Sequence, residues 1–113
     1  MKIDNYKFGS IVINGATYTT DIIIYPDRVQ DSWWRKEGHR LGIIDINEII
    51  QASPELIIVG TGAMGIMRVP EETASYIRSH KIEILTARTP KAVELYNDNS
   101  TQRKTIAALH LTC

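Results

Sequence analysis

The sequence predicts a single α/β domain built on a mixed central β-sheet, with about three helices. Its 113 residues leave room for one domain, residues 1–113. Short β-branched runs fill the first quarter of the chain, and residues 45–111 alternate between helix and strand patterns. An N-terminal hairpin pairs antiparallel, whereas a strand–helix–strand unit pairs parallel with a right-handed crossover. Together these patterns predict a sheet of mixed direction.

The first elements are predicted to be strands. Asn14-Gly15 favours a type I′ hairpin turn between strands at residues 10–13 and 16–20, because that turn needs a positive φ at both central residues. Residues 21–25 contain three successive isoleucines, which indicate a strand covered on both faces. We predict a further strand for residues 28–35.

The first helix is predicted to begin at Asp45. Glu48 lies three residues later and completes a variant of the capping box. Ile44 and Ile49 occupy the positions of a hydrophobic staple, so we expect their side chains to pack together. Pro54 disfavours helix in the residue before it and marks the end of this element.

Proline also marks the start of the other two helices. Pro70 is followed by two glutamates, which suit the first turn of a helix, and Thr89-Pro90 repeats the signal. Short apolar runs precede, separate and follow these helices. The corresponding strands are predicted at residues 56–59, 82–86 and 105–111.

Composition excludes several classes of protein. The 13 Lys+Arg residues balance the 13 Asp+Glu residues, which disfavours general binding to the nucleic-acid backbone. No apolar run approaches the ~20 residues of a membrane helix, so we predict no membrane partner and a cytoplasmic location. The single cysteine, Cys113, excludes an internal disulfide. His110 and Cys113 together offer too few ligands for zinc, and we predict no metal site.

A glycine-rich hexapeptide follows the strand predicted at residues 56–59. Its glycines are Gly60, Gly62 and Gly65, with Thr61 between the first two, and they fit the G-x-G-x-x-G pattern of dinucleotide folds. In those folds the pattern opens directly into a helix that receives the pyrophosphate. Here the helix is predicted to begin only at Pro70. We therefore predict no dinucleotide and no other cofactor.

Two interpretations of the hexapeptide remain open. In the first, the glycines only let the backbone turn tightly. In the second, the free N–H groups of the loop bind a small anionic ligand beyond the carboxyl end of the strand. Arg68, Arg88 and His39 are the side chains that we expect around such a ligand.

The strongest sign of an interaction surface is Trp33-Trp34, followed by Arg35. Neighbouring residues on a strand face opposite ways, so one tryptophan can pack in the core while the other lies at the surface. Exposed tryptophan beside arginine is typical of interface hot spots. The alternative is that both tryptophans are buried.

His110 and Cys113 are further candidates. His110 alternates with two leucines on the last strand, so its side chain faces away from both and needs a polar partner if that face is covered. Cys113 is a possible nucleophile if His39 or His110 stabilises its thiolate. No complete catalytic motif accompanies either residue, and the sequence favours a protein without catalytic activity.

Several segments resemble one known family of small α/β domains. The family includes the human adipogenesis-associated Mth domain-containing protein and mitochondrial complex I assembly factor 3, and the chain is most similar to stand-alone archaeal members. The resemblance implies a compact fold with a mixed sheet, but no established reaction and no catalytic residues. The segments that carry it are Pro26-Asp27, Trp34-Arg35, Gly38-His39, Gly60-Thr61-Gly62, Thr89-Pro90, Ala92-Val93, Tyr96-Asn97 and Leu109–Cys113.

Two functional hypotheses follow from these observations. The first is a non-catalytic interaction or assembly module that uses Trp33, Trp34 and Arg35 to bind a protein partner or a second copy of the chain. The second is a binder of, or minor enzyme on, a small anionic ligand held over residues 60–65.

Overall fold

The computed structural model describes all 113 residues and has three layers around one five-stranded sheet. Two helices cover one face of this sheet, and a third helix and a three-stranded sheet cover the other. None of the helices is long and apolar enough to cross a membrane. The elements are β1 (Ile3–Lys7), β2 (Ser10–Ile13), β3 (Ala16–Tyr18), β4 (Ile22–Ile24), β5 (Val29–Gln30), a 3₁₀ helix (Ile43–Ile46), α1 (Asn47–Gln51), β6 (Leu56–Thr61), α2 (Glu71–Ser79), β7 (Glu83–Ala87), α3 (Thr89–Asn99) and β8 (Thr105–His110).

The five-stranded sheet has the order β5-β4-β8-β6-β7. Strand β6 pairs parallel with both β7 and β8, whereas β4 pairs antiparallel with β8 and β5. The predicted mixed sheet is therefore confirmed. Its antiparallel part comes from β4 and β5, however, because the N-terminal hairpin belongs to the other sheet.

The N-terminal hairpin forms where it was predicted. Asn14 and Gly15 have φ values of 49° and 82°, the positive values that a type I′ turn requires. Strand β1, which the sequence did not predict, pairs with β2 and completes a three-stranded meander. Ile3, Ile11 and Ile13 on the inner side of this meander are buried against the central sheet.

Two apolar clusters fill the spaces between the layers. Along β8, Ile106 and Ala108 face the cluster under α1 and α2, whereas Ala107 and Leu109 face the cluster under α3 and the meander. Both faces of the central strands are therefore buried, as the isoleucine-rich segments predicted. Each fully buried isoleucine contributes roughly 1.5–3 kcal/mol of hydrophobic stabilisation.

The strand predicted for residues 28–35 is wrong beyond Gln30. Ser32 has a φ of 52°, which no extended strand allows, and its N–H donates to Oγ1 of Thr20 at 2.7 Å. The N–H of Trp33 then donates to the Asp21 carbonyl oxygen at 2.9 Å. These local bonds turn the chain out of the sheet. Residues 31–42, which come next, are largely irregular, and we call them the crossing segment.

The predicted start of the first helix is also wrong in detail. Asp45 lies inside the 3₁₀ helix and does not cap α1; its Oδ2 accepts from the N–H of Gly42 at 2.7 Å. The predicted staple between Ile44 and Ile49 is absent, because Ile44 is 69% exposed while Ile49 is buried. The short α1 therefore depends on Ile49 and its neighbours for packing rather than on a staple.

Candidate functional site

The crossing segment is fastened to the sheet by Arg35. The Arg35 side chain is only 4% exposed, and its Nη2 donates to Oδ2 of Asp21 at 2.7 Å. Its Nε and Nη2 also donate to the Gly38 carbonyl oxygen at 3.0 and 2.8 Å. The guanidinium carbon lies 4.6 Å from the centre of the Trp33 ring, which adds a cation–π contact. Arg35 thus closes the short loop from Arg35 to Gly38 and holds it against Asp21.

Asp21, just before β4, is the centre of this arrangement. Besides Arg35, it accepts at Oδ2 from Nδ1 of His110 at 2.7 Å and at Oδ1 from the N–H of Leu111 at 2.8 Å. Burial by itself would raise the pKa of Asp21, but the hydrogen bonds from His110, Leu111 and Arg35 outweigh it and hold the pKa below its usual value. Asp21 is therefore a carboxylate at neutral pH.

His110 is buried at the end of β8 and has its predicted polar partner. Because Nδ1 donates to a carboxylate, the neutral ring carries its proton on Nδ1 and leaves Nε2 as an acceptor. Nε2 is buried and has no partner, and the same is true of Nη1 of Arg35. The His39 ring meets the His110 ring edge-on, with 5.6 Å between the ring centres.

A cleft of about 310 Å³ opens beside these side chains. We call it the polar cleft, because seven of its nine lining residues carry a hydroxyl, imidazole or charged group. The lining residues are Thr19, Thr20, Asp21, Trp34, Arg35, Gly38, His39, His110 and Thr112.

The two tryptophans have opposite environments. Trp33 is 4% exposed and belongs to the core under α1 and α2, whereas Trp34 is 78% exposed. Trp34 lines the polar cleft on one side and a smaller groove on the other. We call this groove, together with Trp34 and the exposed Ile44, the Trp34 surface. Its lining residues are Ile23, Gln30, Trp33, Trp34, Ile44, Asp45 and Glu48.

The glycine loop uses its backbone N–H groups inside the protein. Gly62 donates to Oγ1 of Thr89 at 2.9 Å, and Ala63 donates to the carbonyl oxygen of Thr112 at 2.7 Å. Further along, Ile66 donates to the main-chain oxygen of Cys113 at 3.0 Å. Helix α2 begins at Glu71, well after the last glycine, as predicted. Of the amides from Gly62 to Ile66, only that of Met64 donates to no group within the protein. The loop therefore lacks the row of open amides and the helix start of a dinucleotide site.

The glycines have clear packing reasons. A Cβ on Gly62, whose φ is +104°, would lie 2.3 Å from the carbonyl carbon of Cys113. A Cβ on Gly60 would lie 2.8 Å from Cδ2 of Leu109 and 2.9 Å from Oγ1 of Thr89. Only glycine allows these close approaches between the loop, β8 and α3.

The structure distributes the other predicted ligand-binding side chains over three different sites. Arg88 is exposed and lines a cleft of about 610 Å³ between α2 and β7, together with Thr61 and Gly65. Arg68 lines a separate cleft with Arg40, and His39 lines the polar cleft. These residues therefore do not converge on one ligand.

Sequence reasoning did not pair Asp21 with His110. The two residues are 89 positions apart, and they meet only because β4 lies antiparallel beside β8. The one signal in the sequence was the alternation of β8, which required a polar partner for His110 without naming it. Cys113 is partly exposed, and its proposed thiolate chemistry stays a prediction.

Comparison with known proteins identifies the family. A family profile described as "Protein of unknown function (DUF498/DUF598)" matches residues 3–110. The fold is similar to that of the conserved hypothetical protein PH1505 from Pyrococcus horikoshii OT3, with 24% identity, a TM-score of 0.86 and full coverage of both chains. It is also similar to the protein MT938, with 28% identity, a TM-score of 0.78 and coverage of 99% of this chain and 98% of that one.

A third similar structure is a Mth938-like domain from Bordetella pertussis. It is 18% identical, with a TM-score of 0.68 and coverage of 97% of this chain and 85% of that one. Both the profile and the folds agree with the resemblance that the sequence segments carry. The chain therefore belongs to the family of small α/β, Mth938-like proteins of unknown function.

Proposed function

We propose that the protein is a non-catalytic interaction module that binds a partner protein through the Trp34 surface. One observation carries the proposal: Trp34 is 78% exposed, although the next residue, Arg35, is anchored by a buried ion pair. An aromatic side chain on a fixed backbone loses little freedom when it binds, and tryptophan is enriched among interface hot spots. The resemblance to a family that contains a complex I assembly factor supports the same role.

The lining of the Trp34 surface defines the chemistry of the partner. Trp34 and Ile44 supply exposed apolar area, whereas Asp45 and Glu48 supply carboxylates and no basic side chain lines the groove. Glu48 is exposed and has no ion pair within the protein. We therefore propose that a segment of the partner protein binds here, with an apolar side chain beside a lysine or an arginine. We also propose that the complex forms in the cytoplasm.

Matched variants test this proposal. A protein captured from native extract should bind the wild type and Met64→Ala, which removes a different exposed side chain, with equal affinity. Trp34→Ala and Glu48→Lys should each weaken binding at least tenfold, and cross-linking should map the contact to a segment with lysine or arginine. Unchanged binding to Trp34→Ala contradicts the proposal. A dimer in light scattering that Trp34→Ala abolishes also contradicts it, because the occupant is then a second copy.

A second candidate function is binding of a small anionic ligand in the cleft between α2 and β7. It is favoured by Arg88, whose side chain is exposed and makes no hydrogen bond or ion pair, and whose Cγ would lie 3.2 Å from a Cβ added to Gly65. Because most amides of the loop are already used, the Arg88 side chain would supply the positive charge. Arg78 lines the same cleft but is paired with Glu71 at 3.0 Å.

Thermal unfolding with inorganic phosphate, nucleotides and carboxylates tests this second function. A ligand at 100 times its Kd should stabilise the protein by about 2.7 kcal/mol. Arg88→Ala should abolish the effect, whereas Lys91→Ala, an exposed cation on α3, should not. Absence of stabilisation by every compound contradicts anion binding.

A further inference from the structure

Two side chains that line the polar cleft each carry a buried hydrogen-bonding atom that the protein leaves unpaired, Nη1 of Arg35 and Nε2 of His110. The side chains are 4% and 7% exposed, and both residues line the cleft. The two side chains are in contact, since Nη2 of Arg35 lies 3.3 Å from Nδ1 of His110. Buried polar groups almost always have a partner in folded proteins. Two exceptions on adjacent side chains that line the same cleft point to a place where a ligand could complete the hydrogen bonding.

The chemistry of the two atoms is fixed. A guanidinium nitrogen can only donate. His110 already donates from Nδ1 to Asp21, so in the neutral ring Nε2 can only accept. With the ring neutral, a ligand that satisfies both atoms accepts one hydrogen bond and donates another.

The charges around the cleft argue for an uncharged ligand. The carboxylate of Asp21 and the guanidinium of Arg35 neutralise each other at 2.7 Å. The other lining residues carry no permanent charge; they are Thr19, Thr20, Trp34, Gly38, His39, His110 and Thr112. A full anion would meet a cation that is already paired, and a cation would meet a carboxylate that is already paired.

We propose that the polar cleft binds a primary carboxamide. Its oxygen accepts from Nη1 of Arg35, and its N–H donates to Nε2 of His110. Such a group is found in small amides and in the side chains of asparagine and glutamine, so the ligand is either a free compound or part of a bound protein. The proposal does not rest on the proposed function, because the atoms that would hold the ligand belong to Arg35 and His110, whereas Trp34 lines the cleft without contributing a hydrogen bond.

His39 controls access to this site. Its ring lies across that of His110, with 5.6 Å between the centres, and His39 is exposed to solvent. The ring is therefore free to turn aside without unfolding the crossing segment. Removing it should open the path to Nε2 without removing either hydrogen-bonding atom.

The test is a titration of the full chain followed by amide chemical shifts. The probes are nicotinamide and N-acetylglutamine methylamide, with acetate and inorganic phosphate for comparison. We expect saturable shifts at Gly38, His110 and Leu111 with at least one amide probe, with a Kd of about 1 mM for so small a ligand. Binding of nicotinamide alone indicates a free compound, and binding of the glutamine derivative alone indicates a protein side chain.

Variants sharpen the result without disturbing the ion pair. His39→Ala should lower the Kd of the amide probe at least threefold, whereas His80→Ala, at the exposed end of α2, should leave it unchanged. The proposal is overturned if neither amide gives a saturable shift at these residues. It is equally overturned if acetate or phosphate shifts them at lower concentration than the amides do, or if both histidine variants change the Kd by the same factor.

Discussion

The glycine loop and the crossing segment meet at the same edge of the central sheet, beside the carboxyl ends of β6 and β8. The glycine loop carries the pattern that first suggests a binding site, but its N–H groups at Gly62, Ala63 and Ile66 all donate within the protein. The crossing segment matches no ligand-binding motif, yet it contains the exposed Trp34 and the unpaired Nη1 of Arg35, and it packs against His110, whose Nε2 is also unpaired. We therefore base the proposed site on the unpaired polar atoms rather than on the glycine pattern.

The largest expected effect comes from the ion pair that fixes the crossing segment. Asp21→Ala leaves Arg35 and His110 buried without their carboxylate, which should lower the free energy of unfolding by about 3–5 kcal/mol. Urea unfolding at neutral pH measures the loss. Asp27→Ala, which removes an exposed carboxylate paired with Arg28, should cost less than about 1 kcal/mol. Equal losses in the two variants would mean that Asp21 does not anchor the segment.

The packing of the glycine loop is tested by adding a methyl group at Gly62. Gly62→Ala should lower the free energy of unfolding by about 2–4 kcal/mol, because the new Cβ strains the positive φ and meets the main chain of Cys113. Gly15→Ala has a similar positive φ but open space around it, so it should cost only about 1–2 kcal/mol. Thermal unfolding of both variants compares the two costs. If Gly62→Ala is as stable as the wild type, the close approach to Cys113 is not what the loop requires.

The dependence of stability on pH tests the ionisation of Asp21, which anchors the crossing segment. The folded pKa of Asp21 is lowered, so its stabilisation is complete above the unfolded pKa of about 3.9 and is lost as pH falls through the folded pKa. The stability gap between the wild type and Asp21→Asn should therefore be widest near neutral pH and shrink progressively in acid. Chemical denaturation at a series of pH values measures it. A gap that stays constant down to pH ~2 would contradict an ionised Asp21.

The smallest expected change in the free energy of unfolding comes from removing the exposed Trp34 side chain. Trp34→Ala should change the free energy of unfolding by no more than about 0.5 kcal/mol, because the side chain contributes little to the core. Trp33→Ala should cost about 3–5 kcal/mol. Denaturant unfolding of the pair checks that Trp34 is free for binding rather than needed for folding. A large loss in Trp34→Ala would remove the basis for the Trp34 surface.

Most of the strands and helices were predictable in order, because local sequence signals mark them. Asn14-Gly15 predicted the hairpin, and Pro70 and Thr89-Pro90 placed the starts of α2 and α3 to within about one residue. Strand β1 was missed, since only Ile3 of its five residues is buried. Residues 28–35 were misassigned because the tertiary bonds of Ser32 and Trp33, rather than their propensities, decide the path.

The candidate site was predictable only in part. Trp34, Arg35 and His39 were identified from sequence, but Asp21 was not, because its contacts with Arg35 and His110 depend on the pairing of distant strands. The use of the loop amides by Thr112 and Cys113 was equally hidden, since no local pattern shows where the end of β8 will lie.

The most direct test of the central claim is the protonation of the His110 ring, read from a long-range ¹H–¹⁵N spectrum near neutral pH. In the neutral ring held by Asp21, Nδ1 should carry the hydrogen and Nε2 should show the shift of an unprotonated nitrogen that accepts no hydrogen bond. A proton on Nε2, with Nδ1 bare, would contradict the account, because the crossing segment would then offer no free acceptor at its cleft.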